Sequence, residues 1–301
     1  MQPAIAVTLA ALALVAAATG VCAATAEAAG AADTAMARPQ RIVSLDLCVD
    51  QILVDLVAPS RIAALTHLAA DPNVSAVAAR ARALPATRGE AEVVLGLEPD
   101  LVIAGTFGAT ATVSLLQRVG RRVVKVALAS DLDGIRATVR QIATAVGEAE
   151  RGEAVVAAFD RRLILTAGNG SPARPTALIY QVNGLASGPG TLDDAVLIAA
   201  GFRNLAADLP LGSGGALPLE ALVASPPDLL VLSGPVDAYR SVVADNLRHP
   251  ALTAIRRTRG SIVLPWRTWL CGTPYVADAV EALHQARLGL ERGGSEKAAK
   301  P

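Results

Sequence analysis

GEAERGEAVVAAFDRRLILTA, running from Gly147 to Ala167, is the stretch on which the reading of this chain turns. Val155, Val156, Phe159, Leu163 and Ile164 recur at helical spacing, and Arg151, Glu153, Asp160, Arg161 and Arg162 supply the polar faces. The pattern predicts a helix with one packed stripe. Gly147 ends the helix before it, and Gly168-Asn169-Gly170-Ser171-Pro172 is a stop signal that joins glycine's left-handed freedom to proline's missing donor. At ~1.5 Å per residue, Ala149 to Ala167 would extend about 28 Å. That length can bridge two lobes, so 147–168 is read as a connector.

What precedes the connector is a complete αβ lobe, 41–146. Arg41-Ile42-Val43-Ser44-Leu45 and Arg61-Ile62-Ala63-Ala64-Leu65 read as short buried strands, with a helix from Asp50 to Val57 between them. Glu92 to Gly105 then reads as a short helix, a Pro99-Asp100 corner and a buried strand. Helices over Thr112 to Val119 and Leu132 to Val146 flank a last strand from Arg122 to Ala127. The plan restarts in 172–290, with a strand Thr176 to Tyr180, a helix Asp193 to Ala200 closed by Gly201, a strand Ser261 to Pro265 and a closing helix Tyr275 to Leu288. Between them Glu220, Pro227 and Asp228 repeat Glu92, Pro99 and Asp100 at a constant offset of 128 residues. The chain therefore reads as one phrase used twice.

The ends differ in kind. Residues 1–30 carry an apolar run from Ala4 to Ala18 followed by small residues, the pattern of a signal peptide removed on export, with an uncleaved anchor as the competing role. Residues 31–40 are expected as a disordered lead-in, and 291–301 as a mobile tail. Lys+Arg 27 balance Asp+Glu 27, so no basic field gathers nucleic acid. After the start, no apolar run is long enough for a second membrane span.

The halves, the single helical connector and the twin phrase together resemble the periplasmic binding proteins that serve importers of ferric chelates and cobalamin. The markers are Arg41 to Leu45, Gly89-Glu90-Ala91-Glu92 through Ile103, the connector, Leu219-Glu220 through Val231, and Trp269 through Pro274. The resemblance implies an α/β fold of two lobes, each a mostly parallel sheet flanked by helices, with ligand held in the cleft between them. It also implies an exported monomer in the periplasm, an ABC importer permease and its ATPase as partners, and a ferric siderophore or cobalamin as cargo rather than any cofactor. Glu92 and Glu220 match the family's glutamates that meet permease arginines. Each would otherwise cap or solvate a helix start.

Ligands in open α/β sheets collect beyond the carboxyl ends of strands. The candidates there are Asp46, Cys48, His67, Arg88, Phe107, Asn183 and the run Trp266-Arg267-Thr268-Trp269-Leu270-Cys271. Indoles can pack on a macrocycle or catechol, and Arg88 or Arg267 can pair with carboxylates of an anionic chelate; ordinary lobe packing and surface ion pairs are the competing roles. Cys48 and Cys271 admit three arrangements: a disulfide across the cleft, two thiols on a ligand metal, or unrelated burial. His67, His249 and His284 form no spacing motif; His249-Pro250 reads as a capped turn, and no bare metal site is expected. A Cys/His-dependent enzyme acting in the cleft, and a binder of heme or a free metal ion, are the alternatives.

Overall fold

The structure is a computed structural model in which residues 38–166, 174–233 and 247–298 are described. The expected signal peptide, residues 31–37 of the lead-in and the end of the connector lie outside the described residues. In chain order the elements are β1 (Ile42–Ser44), α1 (Leu47–Leu56), β2 (Ile62–Thr66), α2 (Ala78–Ala81), β3 (Ala86–Thr87), α3 (Ala91–Gly96), β4 (Leu101–Gly105), α4 (Thr110–Arg118), β5 (Val123–Val126), α5 (Leu132–Ala145) and α6 (Ala149–Thr166). Then come β6 (Thr176–Tyr180), β7 (Leu185–Ser187), α7 (Leu192–Ala199), β8 (Arg203–Asn204), β9 (Gly214–Ala216), α8 (Leu219–Ala224), β10 (Leu229–Ser233), α9 (Pro250–Thr258), β11 (Gly260–Leu264) and α10 (Val276–Ala298).

These strands form two sheets. The first is wholly parallel with order β3-β2-β1-β4-β5. In the second, β6 lies between β10 and β8, both parallel to it, and β11 continues beyond β10; β7 and β9 add an antiparallel extension. Setting β6 against β1 and β10 against β4 makes the central orders coincide, so the sequence repeat is a structural repeat. Both central strands, β4 and β10, are buried from end to end, as continuous apolar runs covered on two faces require.

The repeated Pro-Asp has one physical job in both sheets. Asp100 accepts from the backbone N–H of Gln40 at 2.6 Å and of Arg41 at 3.0 Å, fixing the entry to β1 beside β4. Asp228 accepts from Thr176 N at 2.8 Å and Thr176 Oγ1 at 2.9 Å, fixing the entry to β6 beside β10. A carboxylate at the amino edge of each sheet thus satisfies donors that the parallel ladder leaves free. Gln40 is consequently held, and the lead-in does not extend to residue 40 as the sequence suggested.

The connector is realised as α6. Val156 is buried in the core of the first lobe and Phe159, one turn on, in the core of the second. Gly152 lets α6 approach α5, because a Cβ there would collide with the Ala143 side chain. Arg136 pairs with Asp160 and Arg140 with Glu153, both at 2.7 Å, along the same seam. The expected stripe is narrower than its sequence pattern: Ile164 is 71% exposed, because it lies about 100° around the helix from Leu163. At the other end of the chain, α10 continues through Ala298, so residues 291–298 of the expected tail are helical, and 299–301 lie outside the described residues. Leu290 packs on the second core and Arg287 pairs with Glu291 one turn later, which carries the helix past Leu288.

If each Pro-Asp carboxylate is an edge clamp, Asp100→Ala and Asp228→Ala should each lower stability by about 1–3 kcal/mol. Urea unfolding midpoints measure this; two unchanged midpoints would remove the structural reading of the repeat.

Candidate functional site

Parallel strands bring all their carboxyl ends to one edge, and the candidate residues lie there in both sheets. Cys48 opens α1 after β1, His67 follows β2, Arg88 follows β3 and Phe107 follows β4. In the second lobe Asn183 follows β6, and Trp266 to Cys271 follow β11. The two edges are joined: Cys48 and Cys271 form a disulfide with Cα atoms 5.2 Å apart. Beside it Gly272 abuts Ala129 in the loop after β5, so closely that a Cβ there would lie 2.8 Å from the Ala129 carbonyl oxygen. The carboxyl edges therefore meet at this point, and a cavity of about 20 Å³ remains between them, lined by Asp46, Cys48, Val49, Val126, Thr138 and Gly272. Its size suits about one water.

Asp46 builds this junction. Its carboxylate caps α1, accepting from Cys48 N at 2.8 Å and Val49 N at 3.1 Å, and so sets the turn that carries the sulfur. Glycine is required at Gly105, the last residue of β4, because a side chain there would strike that carboxylate. One turn into α1, Asp50 is wholly buried and accepts from Thr66 N at 3.1 Å and Thr66 Oγ1 at 2.5 Å. Burial pushes its carboxyl up to about 7, against the opposing pull of the Ser44 and Thr66 hydrogen bonds. The signal for this residue was an acid inside the apolar run Val49 to Leu56.

The other candidates divide by exposure. Phe107 is 75% exposed on the turn after β4, and His67, Arg88 and Arg267 are also exposed. Leu68 and Leu270 are exposed on the same loops and Leu128 on the loop after β5, so the carboxyl edges carry exposed apolar side chains as well as Arg88 and Arg267. Asn183 is exposed and sits at φ 64, a left-handed conformation that asparagine tolerates better than most residues, so it shapes its turn. Of its two expected roles, Trp269 takes lobe packing: it is 5% exposed and belongs to the core of the second lobe, where its large apolar ring is better buried than left on the loop. Trp266 is half-buried and leans on the same core. His249 caps α9, its Nδ1 accepting from Ala251 N at 3.2 Å. The disulfide removes the thiols that a Cys/His enzyme or a thiol-held metal would need. Among the described residues no cluster of three or more His, Cys, Asp or Glu could hold a metal ion, and no helix is long and apolar enough to cross a membrane.

Glu92 and Glu220 occupy the second position of α3 and of α8, and both are exposed. Each helix begins at the carboxyl edge of its sheet. Thr112 Oγ1, in the first turn of α4 after β4, donates to Gly89 O beside the start of α3, and Leu217 N, beside the start of α8, donates to Gly184 O in the turn after β6. The two acids thus stand on the rim that carries the candidate ligand residues.

A model of the periplasmic binding protein family matches residues 42–259. Among curated proteins, a cobalamin-binding protein of Halobacterium salinarum is 31% identical over 144 residues, which cover 46% of this chain and 39% of that protein. The match thus spans well under half of that relative's length. Among solved structures, the periplasmic heme-binding protein RhuT from Roseiflexus sp. RS-1 in apo form superposes with a TM-score of 0.67 at 26% identity, covering 82% of this chain and 99% of that one. A periplasmic heme-binding protein from Pseudomonas aeruginosa gives a TM-score of 0.66 at 26% identity, covering 82% and 92%.

Because Asp50 holds its proton in the fold to a higher pH than in the unfolded chain, its contribution to stability is full below about pH 4 and falls as pH rises through about 7. The decline is at most about 1.4 kcal/mol per pH unit. Asp50→Asn should flatten the curve of melting temperature against pH over that window; parallel curves for the two proteins would assign the effect elsewhere.

Proposed function

The chain belongs to the periplasmic binding protein family, and on that premise we propose that it is an exported, monomeric receptor that captures a metal chelate between its lobes and hands it to an ABC importer. The observation that carries this reading is the junction of two parallel-sheet edges, with exposed Phe107, Leu68, Leu128, Leu270, Arg88 and Arg267 on the loops beside it. Apolar faces with flanking cations suit a flat, partly hydrophobic guest bearing acidic groups. The named ligands of these relatives, cobalamin and heme, are metal-bearing tetrapyrrole-type macrocycles, which ranks such a macrocycle ahead of the ferric siderophore in this reading. A chelate brings its own metal ligands, so the protein need only hold its periphery.

Glu92 and Glu220 supply the docking contacts in this reading. Carboxylates on two lobes offer paired charge-assisted bonds to two copies of a permease arginine. Their place on the carboxyl rim brings the ligand face, rather than the far side of the sheets, against the transporter. The partner permease carries an ATPase that drives uptake, and the expected compartment is the periplasm. His67 is an exposed candidate to touch the guest.

Purified protein titrated with hemin, cyanocobalamin and a ferric hydroxamate should quench tryptophan fluorescence at one equivalent for its true ligand, with the ligand recovered unchanged. Binding of none of these chelates, or conversion of one into product, would refute the receptor reading. For an anionic chelate such as hemin, Arg267→Ala should cost about tenfold or more in affinity, in keeping with ~1.5–3 kcal/mol for a charged hydrogen bond, while cyanocobalamin binding stays unaffected.

In reconstituted vesicles, Glu92→Ala combined with Glu220→Ala should abolish uptake and leave ligand affinity intact. Lost affinity, or uptake that survives both substitutions, would take the docking role from these residues.

A further inference from the structure

Among the described residues the lobes are joined by the strut α6 and by a second covalent link, the Cys48–Cys271 disulfide, whose loop is reinforced beyond the bond itself. The loop Cys271 to Tyr275 leaves the second sheet after β11 and attaches to both ends of α1 in the first lobe. At the first turn of α1, Cys48 is bonded to Cys271. At its last turn, Tyr275 donates its hydroxyl to the Asp55 carboxylate, at 2.9 and 3.0 Å from its two oxygens. Arg80, from α2, pairs with the same carboxylate at 2.7 Å and donates to the Tyr275 hydroxyl. The Tyr275 ring packs against the core of the first lobe, and between the two attachments Gly272 rests on Ala129. Burial and the Asp55 charge push the phenol's pKa upward, keeping the hydroxyl a donor.

The strut, buried in both cores, already limits hinge motion to the bending of α6 itself, and what bending remains would part the carboxyl edges. A loop fixed at both ends of α1 forbids that motion: opening would have to break the Tyr275–Asp55–Arg80 group and then move against a covalent bond. We propose that the Cys48–Cys271 bond and the Tyr275–Asp55 pair act as positioning residues that set the width of the interlobe cleft before ligand arrives. The ligand then meets a preformed site. This deepens the receptor reading and rests on it for the identity of the guest, whereas the width of the empty cleft is a property of the chain itself.

The test measures that width directly. Ketone-bearing residues placed at exposed Ser114 on α4 and Ser261 on β11 accept spin labels without touching cysteine chemistry, and pulsed electron resonance then reports the interlobe distance. The intact, ligand-free protein should give a narrow distribution that saturating cyanocobalamin or hemin shifts by no more than about 1 Å. In Cys48→Ser with Cys271→Ser the mean should lengthen by more than about 2 Å or the distribution should broaden visibly. Tyr275→Phe should give a smaller broadening. Phosphine reduction of the folded wild type should reproduce the double substitution, which keeps the test decisive where that variant folds poorly. If the staple only stabilised the fold, its loss would lower the melting temperature and leave the distance unchanged; unchanged distributions in both the reduced protein and the double variant overturn the proposal. Failure of every form to bind hemin, cyanocobalamin or a ferric hydroxamate would count against the receptor reading alone, since the ligand-free distances still decide the clamp.

Discussion

One helix belongs to two cores at once, and the rest of the molecule follows from that constraint. Val156 and Phe159 are three residues apart on α6, yet one is buried with the first sheet's helices and the other with the second's. Neither core can lose its share of α6 without exposing apolar surface, at roughly 25 cal/mol per Å². Arg136, Arg140 and Arg162 then fix the rotation of the helix: the first two hold it to α5, and Arg162 holds it to α10 through Asp278 and Glu281. Such exposed pairs contribute little each. Their value is geometric, because α6 has no freedom to turn about its axis once three arginines on two of its neighbours' seams are engaged.

With the strut fixed, sheet polarity decides where chemistry can occur. Parallel strands collect their following loops on one edge, and the disulfide brings those two edges together. The opposite edges are closed by the Pro-Asp carboxylates, which tie β1 to β4 and β6 to β10. One end of each sheet is thus locked by local hydrogen bonds and the other is left to loops. The exposed leucines, Phe107 and the arginines all stand on the second kind of end, where a guest can replace water against them.

How much of this could be read from sequence depends on the range of the interaction. The strut was legible because its period is local, and the repeat because its two copies keep the same spacing from acid to Pro-Asp. The central strands declared themselves as apolar runs. The two- and three-residue strands β3, β7, β8 and β9 have too few residues to show any period, and α9 was reduced to the turn at its cap. Trp269 could not be assigned between ligand and lobe packing because an aromatic ring on a predicted loop carries no local sign of which way it points; much of the core it fills comes from β6, α7 and β10, distant in sequence. Asp55 and Tyr275 are separated by 220 positions, and no pattern in either neighbourhood announces the other. The cysteine pair was visible as a possibility only, since spacing cannot measure the distance between two loops.

A receptor that opens widely gains access to its guest but spends part of the binding free energy on ordering its lobes. The disulfide here closes a loop of 223 residues, which by chain entropy alone disfavours the unfolded state by roughly 5 kcal/mol, and it does so at the place where the lobes would otherwise part. The ordering is therefore complete when folding and oxidation are complete, before any ligand is met. What such a molecule loses is the ability to signal occupancy by a large closure. If Glu92 and Glu220 dock a partner as proposed, that partner must distinguish loaded from empty protein by the guest itself, or by small changes in loops, rather than by the separation of the two acids. Rigid spacing of those two acids and rigid width of the cleft are, on this argument, a single property of one clamped body.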